Sequence, residues 1–94
     1  MKNALLCGLR GIEIRMPIEA IADCSEPGSA DDAVKYWAGK INLDLETDRM
    51  IEVLVETGGW TREDLKEENV DTLRERCIWI AACNYREENR LEFK

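Results

Sequence analysis

The chain has 94 residues, 45% of them apolar and 35% charged, with 13 Lys and Arg against 20 Asp and Glu for a net charge of -7. That length fits one domain with one modest core, and the apolar share is that of a globular chain rather than a disordered one. The charge opposes direct binding to nucleic acid, and the absence of histidine excludes Ser-His-Asp, Cys-His and His-based zinc chemistry.

The N-terminal segment reads as a β-hairpin over 4–9 and 12–16. With Arg10-Gly11 as a two-residue turn, Leu9 faces Ile12, Cys7 faces Ile14 and Leu5 faces Met16, so all six apolar side chains share one face. Leu6–Arg15 and Gly8–Glu13 occupy the other face. If the first strand did not form, the second would present an open edge for pairing with another chain.

Pro17 suits the first position of a short helix with Ile18, Ile21 and Ala22 on one side, ending near Cys24. Ser25 to Gly28 reads as a turn. Ser29 then caps a second helix, with Asp32 three residues on, and Val34, Trp37, Ala38 and Ile41 form its buried stripe. Residues 42–46 connect to a third helix capped by Thr47, with Met50, Ile51, Leu54 and Val55 inward and Gly58 as its left-handed terminus. Trp60, Thr61, Asp64 and Leu65 combine a capping box with a hydrophobic staple and start a short fourth helix.

The last helix is expected from about Asn69 to Asn89. Leu73, Cys77, Ile80 and Ala81 make one stripe, but Ile78, Trp79 and Ala82 carry apolarity around the helix. Seven consecutive apolar residues cannot all face a core on one side. For so small a domain the expected solution is a central, surrounded helix; the other is a partner on the Trp79 side. The fold class is thus α+β and mostly helical: an N-terminal hairpin or single strand on a bundle of four to five short helices around a central C-terminal helix, in a single domain over 1–94.

Candidate chemistry is sparse. Cys7, Cys24, Cys77 and Cys83 contain no Cys-x-x-Cys pair, which speaks against a structural zinc site or disulfide framework and for a reduced, cytoplasmic protein. No segment has the length and apolarity of a membrane span. Cys24-Ser25 is the one nucleophile locale, but Asp23 and Glu26 would raise the thiol pKa. Asp31-Asp32 and Glu63-Asp64 are explained as helix caps. Arg74, Arg76, Arg86 and Arg90 are interleaved with Glu75, Glu87 and Glu88, as on a solvated, ion-paired face. No cofactor motif is present, and no enzymatic activity is expected.

Seven of the 20 acids (Glu19, Asp31, Asp32, Asp48, Glu63, Asp64 and Asp71) fall in first turns, where they complement the helix dipole by about 0.3–1 kcal/mol each. The remainder have no such role. Among them Glu52, Glu56, Glu67, Glu68, Glu87 and Glu88, with Trp79, are the candidate contacts to a partner.

Ala22-Asp23-Cys24-Ser25, Gly28, Asp31, Val34, Tyr36-Trp37, Gly59-Trp60, Glu63, Leu65 and Trp79-Ile80-Ala81-Ala82 give the chain a further character. Over about Ile12 to Glu87 it resembles a family of small acidic proteins encoded by prophages and other bacterial mobile elements. Members often carry His after the Cys-Ser pair and a second Cys near the position of Ala30; this chain has Glu26 and Ala30, which weighs against a metal or thiol role for that loop. The resemblance carries over no catalytic residue. It implies an accessory protein that blocks host machinery, as small acidic phage proteins do when they inhibit CRISPR or restriction complexes by occupying basic nucleic-acid sites. The expected partner is then a basic protein surface of a host complex, with no direct contact to nucleic acid or membrane. The alternative is a structural module that homodimerises through strand 12–16 or the Trp79 helix.

Overall fold

A computed structural model describes residues 5–9, 11–25, 30–41, 43 and 45–90. It shows an α+β, mostly helical fold: an antiparallel hairpin of β1 (Leu5–Leu9) and β2 (Ile12–Met16), then α1 (Ile18–Cys24), α2 (Ala30–Ala38), α3 (Thr47–Gly58), α4 (Arg62–Lys66) and α5 (Val70–Glu88). Arg10 of the hairpin turn, the turn expected over 26–28, the Ser29 cap of α2 and Asn42 of the α2–α3 connection lie outside the described residues.

The hairpin has the register that the alternation of residues requires, with Leu9 opposite Ile12, Cys7 opposite Ile14 and Leu5 opposite Met16. Cys7, Leu9, Ile14 and Met16 are buried, while Leu6 and Arg15 point outward. Gly11 takes φ 86°, as a primed two-residue turn demands. β1 thus occupies one edge of β2 along its length, the edge that would otherwise be open to another chain.

In α1 the buried residues are Ala20, Ile21 and Cys24. Ile18, expected inward, is exposed, and Pro17 is the N-cap rather than the first helical residue. The Pro17 carbonyl accepts from the amides of Ala20 and Ile21 at 3.0 and 3.2 Å, and the proline ring itself is buried. α2 ends at Ala38, one turn before the end of its expected stripe, where Gly39 breaks it. Ile41 still reaches the core, held by a hydrogen bond from its amide to the Trp37 carbonyl at 2.7 Å.

α3 begins at Thr47 itself, with extended Glu46 as an N-cap that contributes no side-chain bond. The Glu46 carbonyl closes the first turn by accepting from the Met50 amide at 3.0 Å, so Thr47 does not cap. Its buried face is Met50, Ile51, Val53 and Leu54, with Val55 only half-buried at its edge. The left-handed terminus is Gly59, at φ 78°, and not Gly58. Gly58 is glycine for a different reason: a β-carbon there would lie 1.9 Å from Cζ3 of Trp60. Two adjacent glycines therefore do two jobs, one reversing the chain and one admitting the indole. Gly58→Ala would push the Trp60 ring out of place and should cost about 1–3 kcal/mol, read as a lower urea midpoint at unchanged slope.

The start of α4 is as its sequence dictates: Thr61 is the N-cap and accepts from the Asp64 amide at 3.2 Å. α5 follows, with Asn69 as N-cap accepting from the Thr72 amide at 2.8 Å. It is the central element, packing on α1, α2, α3 and β1. Leu73, Cys77, Ile78, Ala81 and Ala82 are fully buried, a face spanning about half the helix circumference. Ile80, expected on the main stripe, is half-buried, and Trp79 is the outward residue of the apolar run. No helix among the described residues is long and apolar enough to cross a membrane.

Candidate interaction surface

The cysteines contribute core rather than chemistry. Cys7, Cys24 and Cys77 are fully buried, and Cys83 is half-buried. Burial raises the thiol pKa of Cys7 to about 11 and of Cys77 to about 12. Cys24 is raised to about 12, by burial first and then by the neighbouring Asp23 and Cys83. Cys83 is also raised, mainly by burial, although Arg86 opposes the shift. A nucleophilic thiol needs the opposite environment. Beside Cys24, the Ser25 hydroxyl donates to the Ile21 carbonyl at 2.6 Å and faces a cation, not a base. Arg86 Nη1 donates to the Ser25 carbonyl at 3.0 Å and lies 3.3 Å from its Oγ. This arginine ties the end of α1 to the last turns of α5. Among the described residues no His, Cys, Asp or Glu cluster could hold a metal ion.

The seven candidate contacts fall on three parts of the surface. Glu52 and Glu56 are exposed on α3, and with Asp48 they recur every four residues along its outward side. Arg49 Nη1 donates to Glu52 at 2.6 Å, with both side chains largely solvated. Glu87 and Glu88 are exposed in the last turn of α5, about 12–14 Å along the axis from Trp79. Glu67 is the exposed C-cap of α4.

Glu68 and Trp79 meet in the third part, the corner between α4 and α5. Arg76 donates from Nε and Nη2 to the two carboxylate oxygens of Glu68, each at 2.6 Å. This is a bidentate pair, only 32% and 22% exposed at its side chains, and so among the stronger surface ion pairs. The same guanidinium lies over the Trp60 ring, 5.1 Å from its centroid. Trp60 in turn meets Trp79 edge to face at 6.0 Å between centroids, a favoured aromatic geometry. Trp79 is 36% exposed. Glu68 is thus held within the molecule, whereas Glu67 beside it faces solvent.

The sequence marks Trp60 as the staple at the start of α4 and Arg76 as one of an ion-paired set, but joins neither of them to Trp79. Arg76 lies three residues before Trp79 on one helix face, a spacing that was available as a signal. Its pairing with Glu68, eight residues away across a helix boundary, is not visible to rules for neighbours within one helix.

Elsewhere, Trp37 Nε1 donates to Asp23 at 3.0 Å, and Tyr36, 59% exposed, packs edge-on against Trp37 with Lys40 over its ring. A cleft of about 370 Å³ between α2 and α5 is lined by Lys35, Ala38, Gly39, Asp71, Arg74 and Glu75. Its charges alternate in sign, and Arg74 donates to Asp71 at 3.3 Å; the lining does not define one ligand class. No protein-family model matches the chain, and no curated protein or solved structure is similar enough to indicate a relative.

Proposed function

We propose that the chain is a non-enzymatic acidic accessory protein, of the kind phages and mobile elements encode, that binds a basic surface of a host protein and inhibits a host-defence nucleoprotein complex from the cytoplasm. The observation that carries this reading is the outward side of α3. Asp48, Glu52 and Glu56 stand exposed at four-residue intervals, a stripe of three acids along which Arg49 pairs with Glu52. The helix dipole accounts for Asp48 in the first turn but for neither glutamate. A cationic partner suits a stripe of this sign, and a net charge of -7 steers such a partner at long range. The buried thiols, whose pKa values are raised, and the Arg86 guanidinium that faces the Ser25 hydroxyl support a binding role over a catalytic one.

The test is affinity capture from host lysate with the wild type and with a variant carrying Asp48→Lys, Glu52→Lys and Glu56→Lys. The wild type should retain a basic protein that the variant retains at least about tenfold less. Equal capture by the two, or none by the wild type, would overturn the reading. The homodimer alternative has one observation in its favour, Leu6, 48% exposed on the outer face of the hairpin. Light scattering that shows a monomer at every concentration would dismiss it.

A further inference from the structure

The α4–α5 corner holds one complete guanidinium site and, beside it, the parts of a second. In the complete one the indole of Trp60 carries the Arg76 guanidinium on its face at 5.1 Å, and Glu68 grips the same guanidinium through both oxygens at 2.6 Å. An aromatic face with a carboxylate at its border is the combination that suits a planar, five-donor cation. Trp79 is the neighbouring indole, 6.0 Å from Trp60 between centroids and 36% exposed. Glu75 precedes it by four residues on α5, so the two side chains are neighbours on one helix face. Glu75 makes no ion pair or hydrogen bond among the described residues, and the cations stacked on rings there lie over Tyr36 and Trp60, not Trp79.

We propose that Trp79 and Glu75 form a recognition site for an arginine side chain of a basic partner protein. The site rests on the reading that the partner is basic, and it adds where the partner's anchor sits and why arginine is preferred to lysine. A guanidinium can lie flat on the exposed indole while donating two parallel hydrogen bonds to Glu75. An ammonium is a compact point charge, more strongly hydrated, and gains less from either contact. Arg76 on Trp60 is the intramolecular example of the same fit. Glu68 already takes up the Arg76 charge, and Glu75, which also lines the cleft with Lys35 and Arg74, makes no hydrogen bond or ion pair to either cation.

The experiment titrates the full chain with a nonamer of arginine and a nonamer of lysine at low salt, using calorimetry. The wild type should bind the arginine peptide at least about threefold more tightly. Trp79→Ala and Glu75→Gln should each bring the two peptides to within about twofold of one another, mainly by weakening the arginine peptide. Trp79→Phe, which keeps a ring against Trp60, should retain part of the preference, and circular dichroism confirms that each variant is folded. A preference that survives both Trp79→Ala and Glu75→Gln would overturn the site. Equal binding of the two peptides by the wild type would overturn it while leaving the acidic-binder reading intact; binding of neither would overturn both.

Discussion

Ile78→Ala is expected to destabilise the protein by about 2–5 kcal/mol, through lost transfer energy and the cavity left behind. Ile78 is fully buried near the middle of α5, and that helix packs on α1, α2, α3 and β1 at once, so no single neighbour can relax into the space. For a domain of this size such a loss should lower the thermal midpoint by at least about 10 °C. It would remove a large fraction of the roughly 5–15 kcal/mol that natural domains possess. Val70→Ala, at the exposed start of the same helix, should change stability by no more than about 0.5 kcal/mol. Thermal and urea unfolding of the two variants check the contrast. Similar losses at both sites would mean that α5 is not surrounded.

The second large effect is alkaline unfolding. The thiols of Cys7, Cys24 and Cys77 are held up at about 11, about 12 and about 12, chiefly by burial, whereas unfolded thiols titrate near 8.5. Their folded pKa values lie above the unfolded ones, so the folded state keeps protons that the unfolded chain releases. Stability from this source is fully present below about pH 8.5 and is lost as pH rises toward the folded values. Between those limits each thiol contributes a fall of about 1.4 kcal/mol per pH unit. Urea midpoints measured at a series of values from about pH 8 to about pH 11 should therefore drop steeply. Cys24→Ala should flatten the slope by about a third of the thiol contribution. A stability that stays level to pH 11 would show that these thiols are not buried as described.

Much of the fold is legible in the residues because local and global preferences agree. Alternation in 5–16 sets the hairpin register, Thr61 and Asp64 set the start of α4, and Asn69 sets the start of α5. The exceptions have physical causes. Ile18 and Val53 lie next to positions that also satisfy helical spacing, and tertiary packing chose between them: Ile18 is exposed and Val53 is buried. Gly58 and Gly59 are equivalent to any rule based on composition. The Trp60 ring, which passes where the Gly58 β-carbon would be, decides which of them ends the helix. The apolar surplus of Cys77–Cys83 resolves into four elements packed around one helix, with Trp79 alone turned well outward.

The interaction surface is less legible. An acid in a helix cap, one on an exposed stripe and one that grips an arginine look alike in sequence. Asp64 stands where its amide meets Thr61, Glu56 adds charge to an exposed stripe, and Glu68 is engaged by Arg76. Only their placement separates them. Trp79 was marked by its position in the run, but its neighbours Trp60 and Arg76 come from outside that run or from its border, and packing brings them together.

The central claim, that acidic side chains are the working surface, is tested most directly by the salt dependence of binding to the captured partner. Charge-driven association should weaken on the order of tenfold between about 20 mM and 150 mM salt, as screening shortens from roughly 20 Å to 8 Å. The variant with lysine at 48, 52 and 56 should show a much smaller slope. An affinity that is the same at both salt concentrations, or equal slopes for the two proteins, would contradict the account.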